Sequence, residues 1–221
     1  MWGRMPRTLL AALLAVALVP VAFASSPPNK EQVKFNPADQ AAARAVVIRK
    51  ADLGSGWSGG ATKPDTSATM SCPGYKPKQS DLVLTGAAQT NWGRPGAQLQ
   101  SIAQVLKTPA MVARDWQRTA VDPRALSCLR YTLSKGLTSQ ERLVSFKRVW
   151  FPHLARYSRL FRAVIEVRVQ GQKVRVLADF VLVGHKRTEL TLSVTAPAAV
   201  RASVSRLEVK LARTMLARAR A

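Results

Sequence analysis

The string Gly56-Trp57-Ser58-Gly59-Gly60 fits GxSxG, the pattern in which a sharp strand-to-helix turn exposes a nucleophilic serine. Serine chemistry also needs a base and an orienting acid, and the chain offers His153 or His185 with Asp122 or Asp179. The surroundings of Ser58 argue against that use. A helical pattern precedes the string, none follows it, and too little chain lies upstream for the early strands and oxyanion loop of such a fold. The expected role is a Gly/Ser loop with Trp57 plugging the edge of the core, and a secreted hydrolase using Ser58 stands as the alternative. Both histidines fall in expected loops or turns and both cysteines are committed to each other, so no cluster of metal-ligand spacing remains. P-loop, GxGxxG and HExxH patterns are absent, and no cofactor is expected.

The carboxylates best placed for acid–base work lie in the β-meander expected over 157–195. A two-residue turn at Gly171-Gln172 sets Val169 against Val174, Val167 against Val176, Ile165 against Ala178, Ala163 against Phe180 and Phe161 against Leu182, every pair apolar. A three-residue loop at His185-Lys186-Arg187 then keeps Glu189, Thr191 and Ser193 off the core face. In this register Asp179 lies across from Val164 and Glu166 across from Leu177, on an outer face shared with Arg162, Arg168 and Arg175. Guanidinium neighbours depress a carboxylate pKa whereas a general acid needs a raised one, so these groups read as a surface ion lattice and no catalytic residue is expected. Arg162, Val164, Arg168, Arg175, Leu177 and Val181 make this face the candidate ligand face: an apolar patch, extended by Val183 and rimmed by positive charge, suited to an amphipathic anion or to another protein. The competing reading is that the loop 53–80 or a helix covers it. A Val181→Asp substitution separates the two, since it costs binding at a site and folding in a core.

Compartment decides what such a surface meets. Arg4 and Arg7, the apolar run Leu9 to Val19 and the small residues of Ala22-Phe23-Ala24 make residues 1–24 a secretory signal peptide with cleavage after Ala24. The apolar run is shorter than the roughly 20 residues that span a bilayer, and Pro20 interrupts it. Retention as an anchor is the alternative, and no later segment is long and apolar enough to cross a membrane. Cleavage leaves 197 residues, enough for one domain with its own core. In an oxidising compartment Cys72 and Cys128 are expected to bridge. Lys and Arg outnumber Asp and Glu by 34 to 12, a net charge of +22. Outside the cell such a surface attracts anionic lipids, phosphate-rich wall polymers, acidic polysaccharide or DNA in a salt-dependent way, unless the charge merely reflects composition. No run of five basic residues appears, so no dedicated nucleic-acid-binding arm is indicated.

The elements that must position these residues follow from local signals. Residues 25–36 read as a flexible lead-in to a single domain over 37–221. Asn36 caps a helix that Pro37 opens and that ends near Asp52, and the Gly/Ser/Pro/Thr-rich stretch 53–80 reads as a long loop held by Cys72. Strands are expected over 81–92 and 97–107 around the turn Gly93-Arg94-Pro95-Gly96. A helix capped by Thr108 and closed by Asp122-Pro123 follows, then a shorter one through Cys128, Leu129 and Leu133 to Gly136, and a strand over 142–151. From Pro197 a final helix carries Val200, Val204, Leu207, Leu211 and Met215 along one stripe. The fold class is α+β: an antiparallel sheet of about six strands, ending in the meander, with helices packed mainly on one face.

The string Ala51-Asp52-Leu53-Gly54-Ser55-Gly56-Trp57, directly after an Ala-rich helix, resembles the Ala-Asp-Leu-Pro-x-Gly-Trp opening of many secreted proteins and lipoproteins of actinobacteria. Gly54 and Ser55 depart from the usual Pro. The resemblance implies a PsbP-like α+β fold or one like the extracellular sensor domains of mycobacterial-type receptor kinases, and a role as an envelope binding module; it carries over no functional residue. The sequence thus points to an exported, non-catalytic binding or envelope-associated module for an amphipathic or anionic ligand. A basic protein that adheres to polyanions by charge alone is the second alternative beside the Ser58 hydrolase.

Overall fold

In the computed structural model, residues 29–66, 70–169 and 171–220 are described, so the signal peptide expected over 1–24 lies outside the described residues. The first helix, α1 (Pro37–Val46), starts where its cap predicts: the Asn36 side chain accepts the Asp39 N–H at 2.9 Å. It stops earlier than expected. After Val46 the backbone turns extended so that Ile48 reaches the core, and Lys50–Asp52 forms only a single 3₁₀ turn.

Eight strands make one sheet: β1 (Gln32–Val33), β2 (Ser58–Thr62), β3 (Val83–Arg94), β4 (Ala97–Leu106), β5 (Glu141–Val149), β6 (Tyr157–Val169), β7 (Gln172–His185) and β8 (Thr188–Pro197). Their order is β1-β3-β4-β8-β7-β6-β5, with β2 also paired to β3, and all pairs are antiparallel except β1 with β3. The sheet exceeds the expected six strands because the lead-in and the long loop each supply one. The lead-in is tied down further at Asn29, whose side chain donates to the Pro77 carbonyl at 2.7 Å and accepts the Gln79 N–H at 2.8 Å.

Both turns of the meander differ from expectation. Val169 pairs with Gln172, so β6 and β7 meet two residues out of the expected register: Ala163 faces Ala178 and Phe161 faces Phe180. A slip of two preserves the faces. The β7–β8 connection has two residues between His185 and Thr188, with Lys186 at φ 50, where three were expected. A slip of one turns β8 over, so Val181 faces Leu192 and Val183 faces Leu190, while Leu182 faces Thr191.

Helices cover both faces of the sheet, not mainly one. On the first face lie α1 and α4 (Arg201–Arg220), which bury Ala43, Val46, Leu211 and Met215 against Leu177, Val181, Leu190 and Leu192. Gly86 lets α1 dock there, since a Cβ at that position would sit 2.2 Å from the Asp39 carbonyl oxygen. Within the α4 stripe Val204, Leu211 and Met215 are buried as expected, whereas Val200 stands exposed in the turn before it. On the second face, α2 (Pro109–Trp116, capped by Thr108) and α3 (Pro123–Gly136, capped by Asp122) are joined by a π turn. They pack Trp116, Leu129 and Leu133 toward Phe146, Phe161, Ile165 and Phe180. Cys72 and Cys128 form a disulfide that ties the chain ahead of β3 to α3.

Candidate functional site

The candidate ligand face expected from the sequence is covered by α4. Leu177 and Val181 are each 1% exposed beneath that helix, Arg162 is buried and Val164 half-buried, leaving only Arg168 and Arg175 open to solvent near the hairpin end. These six residues therefore form no continuous open patch. The ion lattice divides in the same way. Glu166 pairs with Arg142 at 3.3 Å and Lys173 at 3.6 Å at the margin, whereas Asp179 faces Arg162, not Val164, and is fully buried with it. The Arg162 Nε donates to Asp179 Oδ1 at 2.7 Å, and its Nη2 donates to the Ser205 hydroxyl of α4 at 3.1 Å.

Beside this pair sits Glu208 of α4, wholly buried, with no donor directed at either carboxyl oxygen. Burial pushes its pKa up to about 9, a hydrogen bond to Asp179 and the Asp179 charge add to the rise, and Arg162 opposes it. Two facing carboxyl groups have no donor between them unless one holds a proton. A protonated Glu208 donating to Asp179 satisfies both.

Ser58 opens the edge strand β2, exposed, with its hydroxyl donating to the Gly93 carbonyl at 3.3 Å. A 3₁₀ turn lies upstream and a strand begins at the serine, so the backbone is not that of a nucleophile elbow. Trp57 beside it is buried in the core. His153 lies exposed between β5 and β6, His185 ends β7, and Asp122 caps α3 while paired with Arg124 at 2.7 Å. None of these hydrogen-bonds to Ser58 among the described residues. Among those residues, too, no group of three or more His, Cys, Asp or Glu is placed to hold a metal ion.

The feature that invites a ligand is on the second face, between the α2–α3 layer and the sheet. A cavity of about 550 Å³ opens there, within the range of small-molecule sites. Trp116, Leu129 and Leu133 form its helical wall. Phe146, Phe161, Phe180 and Leu182 form its floor. Exposed Thr132 and Gly136 stand at the rim with Met70, two residues from Cys72, so the disulfide anchors the cavity's mouth as well as α3. Close approach of α2 depends on Gly184, where a Cβ would stand 3.1 Å from Val112 of α2 and from Tyr157.

One end of the cavity is polar and acidic. Gln104, Asp115, Glu189 and Thr191 line it, and Glu189 lies opposite Gln104 across the β4–β8 pair. Burial raises the pKa of Glu189 well above the usual carboxylate range, and the charges of Asp115 and Glu31 raise it further. Burial lifts Asp115 to about 6 against the opposing pull of Thr119 and Arg118, and burial followed by the Asp115 charge lifts Glu31 to about 7. Asp115 and Glu189 are half-buried by surface yet strongly desolvated; the surface they retain borders the cavity.

Sequence reasoning missed these acids for different reasons. Glu208 was visible in principle, falling on the α4 stripe four residues after Val204 and three before Leu211. Glu189 sits at an ordinary polar position of an alternating strand, and only the register brings it to Leu182 and the aromatic floor. Asp115 lies on the flank of α2 next to Trp116, and nothing local marks it.

Fold and site together define the class: an α+β domain whose mostly antiparallel sheet carries helices on both faces and encloses an apolar cavity with an acidic end. No protein-family model matches the chain, and a search of the curated proteins returns no match. Among solved structures the chain is similar to the Ran-binding protein Mog1p of Saccharomyces cerevisiae, with 12% identity, a TM-score of 0.25 and coverage of 59% of this chain and 88% of that one.

Proposed function

We propose that this protein is an exported, non-catalytic binding module that holds an amphipathic ligand in the cavity between the α2–α3 layer and the sheet. One observation carries the reading: a space of about 550 Å³ opens between the α2–α3 layer and the sheet, over Phe180 and Leu182 of β7, which stay half-buried while Phe146 and Phe161 are covered. A concave, mostly apolar opening of this size with a few polar groups at one end is the usual form of a small-molecule site. Export rests on the leader pattern of residues 1–24, and the Cys72–Cys128 disulfide fits an oxidising compartment. No helix among the described residues is long and apolar enough to cross a membrane.

The test is occupancy. The neutral dye Nile red should bind the purified protein with a blue-shifted emission, and Leu133→Trp, which fills the cavity from α3, should abolish that signal with little change in melting temperature. Mass spectrometry of material released from protein isolated from its native envelope should show an apolar small molecule that the variant lacks. Dye binding unchanged by Leu133→Trp would sink the reading.

A second reading, adhesion to anionic envelope lipids or polymers, is favoured by one surface. Trp150 is 84% exposed and stands beside Arg206, Lys210 and Arg213 of α4 on a chain of net charge +22. An indole among cations suits an anionic interface.

A further inference from the structure

Cations outnumber carboxylates by 34 to 12, so a cation partner is within reach of most of the acids. Asp39, Asp52, Asp81, Asp122, Glu166 and Asp179 each pair with Arg or Lys. The cavity carboxylates do not. Glu189 has no hydrogen-bond donor or ion-pair partner among the described residues, and Asp115 receives only a long contact of 3.4 Å from Thr119, whose hydroxyl is already committed to the Asp115 carbonyl at 2.8 Å. Glu31 lies close enough to both that the three destabilise one another's charge. The fold gathers desolvated carboxyl groups at one end of an apolar cavity without a close ion pair among the described residues; Arg118, paired with Asp81, acts on Asp115 only from beyond ion-pair distance. Left ionised, such groups are costly, so Glu189 holds a proton in the empty protein, and a cation entering from the cavity takes that proton's place.

We propose that the acidic end of the cavity is a subsite for the protonated amine of a lipophilic ligand, with Glu189 and Asp115 as acceptors and Trp116, Phe161, Phe180 and Leu182 enclosing the apolar body. The proposal rests on the cavity being a ligand site and adds the chemical class of its occupant. An ammonium group supplies the three donors these carboxylates lack, and a charge-assisted bond shielded from water is about twice as strong as a neutral one. A carboxylate or phosphate head brings no cation to replace the Glu189 proton and meets the Asp115 charge. An alcohol supplies a single donor and no charge. A metal ion is a poor match, since no three ligating groups come together among the described residues.

The experiment compares decylamine, decanol and decanoate, each displacing Nile red from the full chain at pH 7.5, in the wild type and in the double variant Glu189→Gln, Asp115→Asn. The amides preserve shape and remove charge. In the wild type the amine should bind on the order of ten- to a hundredfold tighter than the alcohol, with decanoate weakest. In the double variant that preference should vanish while decanol affinity stays within a few-fold, and melting temperature should not fall. Amine and alcohol binding alike in the wild type, decanoate matching the amine, or a preference that survives both amides would each overturn the proposal. Should none of the three displace the dye, the cavity reading and this one fail together. A preference absent while decanol still binds leaves the cavity standing and removes the amine.

Discussion

Glu208→Gln should stabilise this protein, and by more as the pH rises. The carboxyl is wholly buried, lacks a donor, and has a pKa raised to about 9. In the unfolded chain it titrates near 4.5. Between those values the unfolded state has released a proton that the native state retains, so stability is greatest below the lower value and is lost as the pH climbs toward the upper one. Each unit in that window removes about 1.4 kcal/mol, which makes the accumulated loss at pH 7 about 3 kcal/mol. Glutamine keeps the shape and a donor for Asp179 and does not titrate, so the loss disappears with the substitution. For a domain of this length, 1 kcal/mol moves the melting temperature by roughly 2–4 °C. The variant should therefore melt close to the wild type at pH 5 and about 6–12 °C above it at pH 7. Calorimetry of both proteins at half-unit steps from pH 5 to 8 decides the matter. Parallel profiles across that range would refute the idea that Glu208 is a neutral acid donating to Asp179.

Three further outcomes follow. Replacing both Cys72 and Cys128 by Ser opens a loop of sequence separation 56 and should cost about 4 kcal/mol in urea unfolding on the chain-entropy account; because Cys128 lies beside Leu129 on α3, Nile red affinity should fall too, and an unchanged midpoint would contradict the staple. Val181→Asp buries an unpaired carboxylate beneath α4 at a position 1% exposed and should prevent folding or remove more than about 3 kcal/mol, whereas a folded variant with unchanged melting would restore an open face there. Trp150→Ala should weaken sedimentation with phosphatidylglycerol vesicles several-fold at low salt, while the wild type loses that binding as salt rises; equal binding by both proteins would remove Trp150 from the surface.

Much of the framework is legible because it is written locally. Asn36 and Thr108 each accept a backbone N–H at a helix start and each is followed by proline, so two helix N-termini appear where short-range signals place them, while Asp122, expected to close α2, also caps α3. The disulfide pairs the two cysteines present. What escapes is what only the assembled sheet decides. Strands β1 and β2 hold little apolar pattern, since Gln32, Val33 and the string Ser58–Thr62 are mostly exposed, and they exist because β3 offers an edge to pair with. The resting place of α4 is equally non-local: β7 is apolar on both faces, with Leu177, Val181 and Val183 on one and Ala178, Phe180 and Leu182 on the other. Such a strand is covered on both sides, and its sequence does not say which helix covers which.

The β7–β8 connection shows why the cavity itself was hidden. A three-residue loop keeps Glu189, Thr191 and Ser193 away from Phe180 and Leu182, and the reasoning is sound when the face bearing those residues is filled core. The two-residue loop places the polar residues there, and Glu189 and Thr191 are among those lining the open space. Polar side chains on an aromatic floor are costly only when they are sealed in without partners. Beside an opening they keep solvent or await a ligand. The conflict between strand pattern and register was thus a mark of the site, and it predicts where the cavity changes character: apolar under α3 at Leu129 and Leu133, acidic toward Glu189 and Asp115. In the proposed binding mode a carbon chain fills the first and a donor head the second, so lengthening an alkylamine should raise affinity until the apolar end is filled, with no further gain beyond that length. Affinity that climbs without such a plateau would mean the chain lies along the outer surface.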